Sequence, residues 1–65
     1  MIALAKNNLD LVKVGTVLSI DGKPDNTATV DTVEGSWGVY ILTSDNCRIP
    51  FSFEELISRK AEIAQ

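Results

Sequence analysis

The chain reads as a mainly β (β+α) domain: a small, strongly bent antiparallel sheet of about four to five strands with one C-terminal α-helix. Three observations predict it. Val39-Tyr40-Ile41-Leu42-Thr43 is the longest unbroken run of strand-forming residues. Side chains that are broad or branched at Cβ suit a pleated, partly buried surface better than a helix. Other short strand-like segments stand on either side of it, separated by Gly, Asp, Asn and Ser, which are turn residues. Finally, Ser52-Phe53-Glu54-Glu55 has the spacing of a helix capping box.

Taken in order, residues 1–10 read as an N-terminal arm, in which Ile2, Leu4 and Leu9 make either a helical turn or an extended lead-in. Such an arm covers one end of the core or is exchanged with a neighbouring subunit. Residues 11–51 carry the sheet. Its first strand is Leu11–Ile20, with Val12, Val14, Thr16, Leu18 and Ile20 on one face and Gly15 marking a bulge or bend. Asp21–Asn26 is a loop around Pro24. Thr27–Glu34 has modest apolar content and reads as an edge strand, with Asp31 discouraging stray pairing.

Trp37–Thr43 follows, carrying Trp37, Val39 and Ile41 on one face and Tyr40 and Leu42 on the other. A strand with bulk on both faces is central, or it lies at a protein contact. Ser44-Asp45-Asn46 turns the chain into Cys47–Phe51, where Pro50, lacking an amide donor, belongs at an edge or strand end. Residues 52–65 form the helix. Ser52 caps it, Phe51 and Leu56 are placed for a hydrophobic staple, and Phe53, Leu56, Ile57, Ala61 and Ala64 make an apolar stripe. Glu55 and Arg59 are spaced to pair across one turn. A sheet this short, bent at Gly15 and plugged by a helix, has the alternative of closing into an SH3-like barrel.

Size bears on function. A domain of this length buries only about 60% of its unfolded surface and commonly needs a staple. One cysteine cannot form an internal bridge, and with no histidine a structural zinc site is excluded. Self-association, giving a homo-oligomer, is the remaining aid. No apolar run reaches the ~20 residues of a membrane helix, and Met1–Ala5 lacks the basic start of a secretion signal. The expected setting is cytoplasmic.

The net charge of −3 is unevenly spread: residues 24–47 hold Asp25, Asp31, Glu34 and Asp45 and no base. That acidic stretch argues against nucleic acid, whose ligands carry a basic stripe. The competing scheme uses Tyr40 or Trp37 for stacking with Lys13, Lys23 and Arg48 on phosphates. Asp21, Asp25 and Asn26 lack the alternating oxygen ligands and distal glutamate of a calcium loop, so neither a metal nor a cofactor is expected.

Catalysis is disfavoured as well. Histidine is absent, and strand alternation sends Arg48 away from Cys47, leaving that thiol as a small buried apolar residue. Adjacent Glu54 and Glu55 complement the helix dipole. The chain therefore reads as a non-enzymatic interaction or regulatory module that binds a partner protein. An acidic accessory or inhibitory protein of a phage or mobile element fits this description. Trp37, Tyr40, Leu42 and Arg48 are the candidate contact residues, of types enriched at interface hot spots. Trp37, Phe51 and Phe53 alternatively supply the core, and a peptide or small-ligand pocket between sheet and helix is a third possibility.

Overall fold

A computed structural model describes residues 2–43 and 45–64. Among these residues, six antiparallel strands form one sheet: β1 (Ile2–Ala3), β2 (Val17–Ile20), β3 (Lys23–Glu34), β4 (Gly38–Leu42), β5 (Arg48–Ser52) and β6 (Glu62–Ile63). Their spatial order is β1-β6-β2-β3-β4-β5. The expected mainly β architecture with one short C-terminal helix, α1 (Phe53–Ser58), is present. The strands number six rather than four to five. The sheet is not closed into a barrel, since β1 and β5 are both edges.

One face of the sheet carries the core. Leu18 and Ile20 from β2, Val30 from β3, Val39 and Ile41 from β4 and Phe51 from β5 are buried against Phe53 and Leu56 of α1. Leu4, Val12 and Ala61 complete the cluster. The helix begins as the capping box requires, Glu55 N–H donating to Ser52 Oγ over 3.0 Å. Phe51 and Leu56, the staple pair, are both buried.

Four segments depart from the expectations. Residues 11–16 are not strand: Leu9–Leu11 forms a 3-10 turn, η1, and Gly15 sits at φ 94° in the turn before β2. Val14 is consequently 70% exposed instead of facing the core. Asp21 and Gly22, both at positive φ, make a two-residue hairpin, with Ile20 opposite Lys23. This is the Asp-Gly turn whose twist matches paired strands, so Lys23–Asn26 is strand rather than loop. β3 is then an interior strand, and Asp31 occupies a bulge in it where the register to β4 shifts.

The fourth departure is at the C-terminus, where the helix spans 53–58 rather than 52–65. Lys60 adopts φ 56°; its N–H donates to Ile57 C=O, and the Ala61 N–H reaches back to Leu56 C=O. These paired bonds are a Schellman ending, built here on lysine where glycine is usual. The chain then returns as β6, which pairs with both β1 and β2. The arm is thus partly strand: β1 covers β6, and Leu4 N–H donates to Ala61 C=O. Met1 of the arm, Ser44 of the predicted turn and Gln65 of the predicted helix end lie outside the described residues.

Candidate functional site

The four candidate contact residues do not form one patch. Trp37 lies in the turn between β3 and β4, not in a strand; its N–H donates to Glu34 C=O and its C=O accepts from Phe53 N–H. These two backbone bonds pin the turn against the start of α1 while the indole stays 55% exposed. Trp37 is therefore not core, whereas Phe51 and Phe53 are.

Gly38, beside it, is what lets β4 and β5 come together here. A Cβ at this position would run into the Phe51 carbonyl oxygen and lie 2.7 Å from Ser52 Cα.

Trp37 lines an open groove of about 700 Å³ on the core side of the sheet, together with Lys6, Leu9, Phe53, Glu54 and Ile57. A second depression of about 290 Å³, lined by Asp10, Val12, Val33 and Gly35, shares Leu9, Ser36 and Phe53 with the first. The two make one trough running from α1, past the Trp37 turn, to η1. Sequence alternation placed Trp37 on one strand face with Val39 and Ile41, as core or as contact surface. The turn residues Gly35-Ser36 were the signal that the indole precedes the strand.

Tyr40, Leu42 and Arg48 lie on the opposite face. Cross-strand rows place Thr29 beside Leu42 and Leu42 beside Arg48, and Thr32 beside Tyr40 and Tyr40 beside Pro50. Arg48 lies diagonally across these rows, its guanidinium carbon 5.0 Å from the centre of the Tyr40 ring. Its Nε is 2.8 Å from Asp31 Oδ2, and its terminal nitrogen donates to Thr32 Oγ1 over 3.1 Å. The Asp31 bulge puts carboxylate and hydroxyl side by side, 3.0 Å apart, so both reach the same arginine. Tyr40 is half-buried beneath this cap.

A second arginine is engaged at the far end of the sheet. Arg59 donates to both Asp21 carboxylate oxygens over 3.2 and 2.9 Å, lies 3.9 Å from Glu55 and stacks 5.3 Å from the centre of the Phe51 ring. The hydrogen-bonded guanidinium holds the Asp21 carboxyl below its ordinary value.

Cys47 is exposed, not buried. The β4–β5 turn places it where its N–H donates to Thr43 Oγ1 and no core is near. Pro50 is on an edge strand, as its missing donor requires. The Thr43–Cys47 and Trp37–Phe53 backbone bonds bracket the β4–β5 ladder. Alternation then turns the backbone N–H and C=O groups of Ile49 and Phe51 toward β4, and the backbone groups of Arg48, Pro50 and Ser52 toward the open edge. Pro50 thus removes a donor from the edge that a further strand would need.

Among the described residues, no cluster of three metal-ligating side chains occurs, and no helix is long and apolar enough to cross a membrane. No family model matches the chain, and no curated protein or solved structure shows significant similarity to it.

Proposed function

We propose that this chain is a non-enzymatic interaction module that binds a partner protein and associates with itself, and that the trough beside Trp37 is its contact surface. One observation carries the reading: the only tryptophan of the chain stands more than half exposed at the rim of an apolar groove floored by Leu9, Phe53 and Ile57. A tryptophan in water forgoes a large burial gain, and such residues dominate the energy of protein contacts. Tyr40, Leu42 and Arg48 form a secondary surface, because the guanidinium already covers the ring. A regulatory or inhibitory role of the kind phage and mobile-element accessory proteins play is compatible with a small acidic domain that acts by occupying another protein. Binding of a peptide or small ligand in the same groove is the second reading, favoured by the position of the groove between the Trp37 turn and α1.

Affinity capture from the native host, followed by mass spectrometry, tests the first reading. The wild-type chain enriches one partner reproducibly; Trp37→Ala loses it, and Tyr40→Ala with Leu42→Ser keeps most of it. Equal recovery by all three proteins would remove the groove from consideration.

A further inference from the structure

The trough has a charge pattern as well as an apolar floor. Asp10 and Glu54 line it, and Glu34 leads into the Trp37 turn, against the single base Lys6 among the lining residues. Arginines engage three acids elsewhere on the molecule: Arg59 holds Asp21 and Glu55, and Arg48 holds Asp31. Among the described residues, Asp10, Glu34 and Glu54 have no such partner, and neither do Asp25, Asp45 and Glu62, but only the first three gather at the trough and the turn leading into it. An apolar trough edged by uncompensated carboxylates suits a segment that alternates apolar and basic side chains.

The chain itself carries one. Residues 11–14 read Leu-Val-Lys-Val. Val12 turns into the core, and Leu11, Lys13 and Val14 point outward, Leu11 47% and Val14 70% exposed. Val14 is the most exposed large apolar side chain described. This segment directly continues η1, whose Leu9 and Asp10 line the trough. Groove and protrusion are therefore neighbours along the chain, and a two-fold self-complementary contact has each copy present both halves within a single patch.

We infer that the Trp37 trough is the seat for a second copy of this chain, which inserts Leu11 and Val14 beside the indole and sets Lys13 against Glu54, the two copies doing so reciprocally. The inference rests on the reading of the trough as a contact surface and names the occupant. The short edge strand β1 and the donorless Pro50 on β5 leave sheet-edge pairing as the poorer route to a dimer.

Sedimentation velocity over a concentration series tests it, with the fluorescence of the lone tryptophan as a second readout. The wild-type protein shifts from monomer to dimer as concentration rises, and its emission moves to shorter wavelength in step. Trp37→Ala weakens association about tenfold or more, on the scale of a hot-spot residue. Lys13→Glu and Glu54→Lys, both at exposed positions, each weaken it about fivefold through like-charge contacts. An equimolar mixture of these two variants recovers dimer, because every Lys–Glu contact between unlike copies is then restored.

A wild-type protein that stays monomeric throughout overturns the inference, as does a dimer indifferent to Trp37→Ala, or a mixture no better than its components. A synthetic peptide of residues 9–16 that saturates a strictly monomeric protein would also overturn it, since the groove would then take such a segment from another protein. Host-partner capture that depends on Trp37 in a strictly monomeric protein would leave the contact-surface reading standing and remove only the second copy.

Discussion

Trp37 and Tyr40 are three residues apart on one hairpin, yet the molecule treats them in opposite ways. Tyr40 is half-buried under Arg48, which is itself held by Asp31 and Thr32, so that face has its charges matched internally. Trp37 stands open at a trough whose acids have no arginine. Both are aromatic and both belong to types favoured at interfaces, so residue type does not separate them. What separates them is whether neighbouring strands supply a partner: β5 lays an arginine across Tyr40, whereas only backbone bonds hold the Trp37 turn.

The largest effect is expected at Gly38, which links the two sides of the hairpin. Gly38→Ala forces a methyl against the Phe51 carbonyl and Ser52 backbone, so β4 and β5 must part. A loss of about 3 kcal/mol or more is expected, as for other large core disruptions, with the urea midpoint falling and both faces losing their order. An unchanged midpoint would show that the close approach of the two strands is not required.

A smaller effect should separate the two aromatic sites. Arg48→Met uncovers Tyr40 while leaving the trough intact. The pair with Asp31 is substantially exposed, so the stability cost is under about 1 kcal/mol. Quenching of tyrosine emission by iodide should rise in this variant while Trp37-dependent association stays as it was. A fall in association of more than twofold would tie the outer face to the contact surface after all.

The smallest expected effect concerns the Asp21–Arg59 clasp, which faces neither aromatic. The Asp21 carboxyl has its folded-state value lowered by the Arg59 hydrogen bonds. Its stabilisation is thus present above the ordinary aspartate range and disappears as pH falls through the lowered value. Arg59→Gln should therefore be slightly less stable than wild type at pH 6, with the gap in urea midpoint closing as pH falls below the ordinary aspartate range. The Trp37 fluorescence should be the same in both proteins throughout. A gap that persists at low pH would show that Arg59 acts through its stack on Phe51 rather than through Asp21.

Much of the fold was legible in local chemistry. The capping box at Ser52, the strand at Val39–Leu42 and the edge position of Pro50 all follow from neighbours along the chain, because caps, β-branched runs and missing amides act within a few residues. The Asp21-Gly22 hairpin was equally local, and was obscured only by the proline that follows it. Other features have no local signal. Lys60 ends the helix at positive φ without the glycine that usually marks such a stop, and Ala61 is buried once β6 has somewhere to go. The strand at Glu62–Ile63 exists because β1 and β2 flank it on both sides.

The same division runs through the candidate site. Composition and spacing alone determined a mainly β domain with one capped helix, a short set of aromatic and basic contact candidates, and an acidic middle segment, since each depends on residue type and nearest neighbours. Only the tertiary structure decided that Trp37 stands exposed rather than in the core, that Cys47 is exposed, and that Arg48 is occupied by Asp31. The physical reason is that exposure and charge pairing are set by residues brought together across strands. Asp31 meets Arg48 through a bulge, and Leu9 meets Trp37 through the packing of η1 and α1 over the sheet.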